Sequence, residues 1–163
     1  MKIKIAIHSA PRSGSTWLES IFGSHPNVVY NFQPLFSYAL KDYLTPGSSR
    51  KDIIDFFGKL ESTKDDFLDQ KEAKQKNIVP HFGKTEAKAI VYKEVRYHHL
   101  LENMLEEDGE LLVIGLIRNP LAVIHSWLNA PKEFKKELGW KVKEEWRYAP
   151  SKNLNKPEEF NGY

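Results

Sequence analysis

The sequence predicts an α/β fold: a doubly wound parallel sheet with flanking helices. Three observations predict it. Ile3, Ile5 and Ile7 alternate with Lys2, Lys4 and Ala6; Ser9-Ala10-Pro11 then breaks the strand, and Trp17, Leu18, Ile21 and Phe22 open a helix. Residues 111–117 (LLVIGLI) are a continuous apolar run, the pattern of a strand buried on both faces of a parallel sheet. Between these points strand and helix patterns alternate. In such sheets ligands sit beyond the carboxyl ends of the strands, and Arg12 and Arg118 both stand at such ends.

The intervening elements follow in order. Gly23-Ser24-His25-Pro26-Asn27 is a turn by composition, and Val28-Val29-Tyr30 reads as a second strand. Leu35, Phe36, Tyr38, Ala39, Leu40, Tyr43 and Leu44 have helical spacing, with Pro34 in the first turn. Residues 45–49 form a loop, and Ser49 is a cap for a helix carrying Ile53, Ile54, Phe56, Phe57 and Leu60. A further amphipathic helix is expected over 65–76, a strand over 87–95 and a helix over 97–107, which Asp108-Gly109 ends. Pro120 starts a last helix with Leu121, Val123, Ile124 and Leu128 on it. We therefore expect an α/β core over 1–130 with a helical insertion at 45–86, and a polar extension over 131–163 that is a fragment of a remaining domain. No apolar strand closes the chain, so a truncated or reduced protein is expected.

Composition narrows the function. At 163 residues and a formal net charge of +2, the chain is one domain and no general binder of nucleic acid or membrane surfaces. It has no cysteine, which excludes disulfides, zinc thiolates and thiol catalysis. No apolar run reaches membrane-spanning length and residues 1–8 alternate, so no secretory signal is visible and the cytoplasm is the expected location.

The stretch 9–18 (SAPRSGSTWL) joins a strand to a helix N-terminus, where free N–H groups and the positive dipole end favour an anion. Gly14 allows close backbone approach; Ser15 and Thr16 add hydroxyls. The loop is P-loop-like with a difference. A P-loop has Lys after its second Gly; here that place is Ser15, and the cation comes earlier, at Arg12. The loop suits one anionic group near Arg12 better than a triphosphate. A second cluster is IRNPLAVIHSW, in which Arg118 leaves the apolar run and Ser126 lies about two helical turns on.

APRSGSTWL and IRNPLAVIHSW together resemble the two cofactor motifs of the sulfotransferases that use 3′-phosphoadenosine 5′-phosphosulfate (PAPS). The resemblance is strong over residues 1–44 and 87–128. It implies the sulfotransferase fold, with transfer of a sulfuryl group to a hydroxyl or amine of a carbohydrate or small-molecule acceptor, and no metal. It implies that Arg12 holds the 5′-phosphate and steadies the leaving group. Ser13, Gly14, Ser15 and Thr16 would cradle the same phosphate, and Trp17 would stack on adenine, the alternative for Trp17 being a place in the core. Arg118 and Ser126 would bind the 3′-phosphate. Arg12 and Gln33-Pro34 lean toward the carbohydrate-type branch.

The base that takes the acceptor's proton is harder to assign. Lys93 matches a Lys of the cytosolic members, but Val95 stands where they have His, and Gln33 stands where carbohydrate-type members have Glu. Glu94 and His98 are the remaining catalytic candidates, with His99 beside them. The Gly- and Lys/Arg-rich third cofactor segment of the family is not found. Two other readings stay open: a non-catalytic PAPS- or nucleotide-binding module of the same fold, and a small P-loop kinase, which would need a Lys after Gly14 and a Mg²⁺-holding Asp on the buried strand.

Overall fold

A computed structural model of the chain describes residues 2–130 and 133–153. Four strands, β1 (Ile3–Ser9), β2 (Val28–Phe32), β3 (Ala89–Glu94) and β4 (Leu111–Leu116), form one sheet in the order β2-β3-β1-β4, every pair parallel. Parallel neighbours need crossovers. They are supplied by α1 (Ser15–Ser24), α2 (Arg50–Ser62), the short α3 (Lys71–Gln75) and α4 (Leu101–Glu107), while α5 (Pro120–Leu128) follows β4.

Side-chain alternation divides the sheet into two faces. Ile7, Val28, Ala89 and Val91 face one way and pack with Leu18 and Phe22 of α1. Ala6, Ile90, Tyr92 and Leu111 face the other way, against Ile53, Phe56, Phe57 and Leu60 of α2 and Met104 of α4. The stretch 45–86, expected as an insertion, thus supplies a helix that covers one side of the sheet. Ser49 caps α2 in a complete capping box with Asp52. A buried ion pair joins Lys4 on β1 to Asp108 at the end of α4.

Three expectations are corrected. The run 111–117 does not form a strand buried on both faces. Among the described residues β4 is an edge strand, paired only with β1; Leu112 is half exposed and Ile117 lies beyond the strand in solvent. The helix expected from Pro34 to Leu44 is a single 3₁₀ turn, Pro34–Phe36. Ser37 Oγ donates to Pro34 O (2.6 Å) and accepts from Leu40 N (3.1 Å), the local bonding by which serine competes with helix. Leu35, Leu40 and Leu44 are buried all the same, so the spacing recorded burial and not helix. The helix over 65–76 shrinks to α3, because Asp65 Oδ1 accepts from Phe67 N and Leu68 N at 2.9 Å each and makes a turn instead. The 97–107 helix begins as a 3₁₀ turn, His98–Leu100, before α4.

After α5 the chain makes two short helices, α6 (Val142–Glu145) and α7 (Pro150–Asn153), around a small cluster of Trp127, Phe134 and Ala149. Residues 154–163 of the expected C-terminal extension lie outside the described residues, as do Pro131 and Lys132. No helix among the described residues is long and apolar enough to cross a membrane.

Candidate functional site

The carboxyl ends of β1, β3 and β4 open on one rim of the sheet. Arg12, three residues past β1, has φ 66; Gln33, directly past β2, has φ 43; Tyr97, three past β3, has φ 58. Non-glycine residues avoid this left-handed region, and where a fold holds them there the strain often marks a functional rim. Asp42, Gln70, Asn77 and Ala149 share the conformation elsewhere.

The two sequence motifs meet here. Arg12 Nε donates to Ser126 Oγ at 3.1 Å, and Arg118 Nη1 donates to Arg12 O at 3.0 Å. β4 delivers Arg118 to the rim beside β1. Asn119 caps α5 through Oδ1, which accepts from Leu121 N (2.9 Å) and Ala122 N (3.3 Å), and so turns the helix back to place Ser126. Two guanidinium groups and a hydroxyl therefore surround one small region.

The first loop folds tightly onto α1. Gly14 heads the helix at φ 94, a conformation that any L side chain would strain, although the space around its Cα is open. Its carbonyl accepts from Trp17 N (3.0 Å) and Leu18 N (3.3 Å). Ser13 and Ser15 are buried, whereas Arg12, Gly14 and Thr16 are exposed. Trp17 is 71% exposed, so it is not a core residue and its indole face is open to a flat ligand. A cleft of about 190 Å³ lies between Ala10 and Ser13 on one wall and Leu116, Arg118, Pro120 and Val123 on the other. Ser9 Oγ, at the end of β1, is buried with no hydrogen-bond partner. Anion-binding donors and an open aromatic face suit a phosphorylated nucleotide, so the residues present fit the donor that the motifs imply.

The expected base candidates separate clearly. Glu94 is wholly buried; its Oε1 accepts from Leu35 N at 2.7 Å, and burial pushes its carboxyl up to about 8. It holds the turn after β2, and Oε2 has no partner. His98 sits at the rim in a chain of contacts. Tyr92 Oη donates to Met104 Sδ (3.7 Å), so it accepts from His8 Nε2 (3.3 Å). His8 Nδ1 is then an acceptor, and His98 Nδ1, 2.9 Å away, must donate to it. That fixes the His98 tautomer and leaves its Nε2 with a lone pair. Burial and then the His98 charge hold His8 down at about 3, and burial and then His99 lower His98 below its ordinary 6.5. Both imidazoles are therefore neutral near pH 7. His99 is exposed.

Lys93 does not reach the rim. Its Nζ is paired with Glu19 Oε2 at 2.8 Å on the α1 face and lies 4.3 Å from the Phe32 ring centroid. Glu19 also accepts from Tyr30 Oη (2.8 Å) and Gln70 Nε2 (2.9 Å). This buried knot ties α1, and with it the first loop, to β2 and β3. Glu19, His8, Tyr92 and Arg96 were not singled out from sequence. The signal was there: His8 and Tyr92 occupy strand positions whose alternation points them into the core beside Ala6 and Ile90, and Glu19 lies among Leu18, Ile21 and Phe22. Among the described residues no cluster of His, Asp and Glu is arranged to hold a metal ion.

No curated protein matches the chain. Its residues 2–161 match the sulfotransferase domain, nearly the whole sequence, and the chain accordingly belongs to the sulfotransferase family.

Proposed function

We propose that this chain moves a sulfuryl group from PAPS to a hydroxyl or amine of a carbohydrate or small-molecule acceptor. The observation that carries the reading is the junction of Arg12, Arg118 and Ser126, which gathers donors for two anionic groups beside an exposed Trp17. Arg12 and the Ser13–Thr16 loop hold the 5′-phosphate, Arg118 and Ser126 the 3′-phosphate, and Trp17 stacks on the adenine. When bound, the donor supplies an activated sulfuryl group whose phosphate leaving group accumulates charge. Arg12 stands where that charge develops, and such stabilisation is commonly the largest catalytic contribution. His98 Nε2 takes the acceptor's proton; His8 and Tyr92 hold it in the right tautomer. The reading places the protein in the cytoplasm.

Calorimetry without metal tests it. The chain should bind 3′-phosphoadenosine 5′-phosphate at least roughly tenfold more tightly than ATP, the margin expected for a charge-assisted contact to the 3′-phosphate. Equal or tighter ATP binding would favour the kinase reading, against which stand Ser15 in place of Lys and Arg118 at the exit of β4. One observation favours a non-catalytic module instead: Gln33 is an amide and is engaged by Arg96 at 3.1 Å, so it takes no proton. Turnover of PAPS with an acceptor separates that reading from transfer.

A further inference from the structure

A second cavity lies between α1, β2 and the stretch 68–84. Its volume is about 250 Å³, and it shares no lining residue with the cleft beside Arg118. Val29 of β2, Leu68 and Phe82 give it apolar walls, and Lys74, His81 and Lys84 give it charge and polarity. Its outer wall is a long connection. Residues 76–88 contain no helix or strand, and runs of about that length without regular structure are uncommon in a compact domain unless they serve a function or are disordered. This one is tied down at both ends. Ile78 N donates to Ala73 O at 2.9 Å, and Thr85 N donates to Pro26 O at 3.0 Å. Asn27 Nδ2 donates to Thr85 Oγ1 at 2.8 Å and to Glu86 O at 2.9 Å. The segment between these anchors carries Phe82 and Lys84 to the cavity.

The charges there suit an anion. Lys84 Nζ donates to Gly23 O and, at 3.1 Å, to His25 O, at the C-terminal end of α1. An ammonium has three N–H donors, and these bonds use two. Lys74 lines the same cavity. Burial, and then the charge of Lys74, lower the pKa of Lys84 below its ordinary value, so two ammonium groups share this space at a cost that an anion between them would relieve. Of the acids on the cavity, Glu19 is already held by Lys93, Tyr30 and Gln70, and Asp69 is exposed. Among the described residues neither Lys74 nor Lys84 forms an ion pair. Apolar walls with a few polar groups are the make-up of a small-molecule site, and the volume falls just below the roughly 300–1,000 Å³ of drug-sized ones. One ring is the size that fits.

We propose that this cavity binds a single-ring organic acid, its ring among Val29, Leu68 and Phe82 and its acid group between Lys74 and Lys84. The site is distinct from the junction of Arg12, Arg118 and Ser126, and the inference does not depend on the transfer reading.

Calorimetry and amide-resolved NMR with 4-ethylbenzoate and its neutral match, 4-ethylbenzamide, test it on the unaltered chain. The acid should bind at least roughly tenfold more tightly than the amide. It should bind equally well with 3′-phosphoadenosine 5′-phosphate present, and should shift the amide resonances of Ser20, Gly23, Val29 and Phe82. A Cβ added at Gly23 meets nothing within 4 Å, so Gly23→Leu should fill the cavity and abolish binding in a chain whose spectrum remains that of the folded protein. Lys74→Met should weaken the acid about tenfold and leave the amide unchanged. Should Gly23→Leu fail to fold, Lys74→Met and the resonance shifts decide. Equal binding of acid and amide, no binding of the acid, displacement of the acid by the nucleotide, shifts confined to residues outside the cavity, or undiminished affinity in folded Gly23→Leu or in Lys74→Met overturns the proposal. Failure of the nucleotide to bind bears on the transfer reading alone.

Discussion

The carbonyl oxygen of Arg12 accepts a hydrogen bond from the guanidinium of Arg118 at 3.0 Å, across 106 residues of sequence. The first loop and the exit of β4 are thus one structure. Arg12 holds its left-handed backbone partly because Arg118 clasps it, and its side chain is aimed because Ser126 receives Nε. A change in either motif is felt by the other.

Removing Arg118 should therefore do two separable things. Arg118→Ala should weaken 3′-phosphoadenosine 5′-phosphate by roughly ten- to a hundredfold, as expected for a charge-assisted contact. It should weaken adenosine 5′-phosphosulfate, which lacks the 3′-phosphate, by much less. Ser126→Ala should repeat the pattern more mildly. Calorimetric titration of each variant with both nucleotides checks this, and equal losses for the two would refute the assignment of Arg118.

His98 should set the acidic limb of the rate profile. A base works only when deprotonated, and burial lowers the pKa of His98 below 6.5. Its kcat/KM should accordingly hold steady down through neutral pH and fall only at pH values below the ordinary imidazole range. His98→Gln should reduce kcat by about 10²–10⁴-fold and erase that limb. Tyr92→Phe frees the His8 tautomer and should shift the limb while leaving nucleotide affinity unchanged.

The Glu19–Lys93 knot should matter for folding. Both side chains are nearly inaccessible and 2.8 Å apart. Lys93→Met leaves the carboxylate buried with Tyr30 and Gln70 only, and should cost roughly 3–5 kcal/mol in urea denaturation. Adding Glu19→Gln should recover part of the loss, because the stranded charge is gone. A double variant no more stable than Lys93→Met would count against an electrostatic role.

Stability should also vary with pH in two opposing windows. Folded Glu94 keeps its proton up to about 8, whereas the unfolded carboxyl releases it near 4.5, so stability falls as pH rises between those values. Folded His8 refuses a proton until about 3 while the unfolded imidazole takes one near 6.5, so stability falls as pH drops between those values. Each contributes at most about 1.4 kcal/mol per pH unit. Glu94→Gln should flatten the alkaline side of a melting-temperature profile and leave the acidic side in place.

Sequence reading reached the strand–loop–helix at the N-terminus and the Arg118–Ser126 cluster because each is local: alternation, a break and a cap lie within a few residues. It missed what depends on pairing. That β4 is an edge strand follows from sheet order, which no apolar run encodes. The helix after Pro34 failed because Ser37 redirects the backbone while Leu35, Leu40 and Leu44 still bury, and burial periodicity alone does not reveal the hydrogen bonds. Glu94 reads from sequence as a base candidate, but the turn at Leu35 closes over it, and Lys93 reads as the Lys of the cytosolic members, but Glu19, on a separate element, turns it inward.

β1, one of the two inner strands, is made before its partners and is paired on both sides by segments synthesised much later, β3 and β4. The bond from Arg12 to Ser126 spans 114 residues, so the nascent chain emerges carrying a loop without its clasp. Long-range parallel pairing is slow to form, and until it does the first tenth of the chain must be kept from competing associations. Competence to hold a nucleotide should thus arrive abruptly and late during maturation, which makes ligand capture a sensitive reporter of the final docking event.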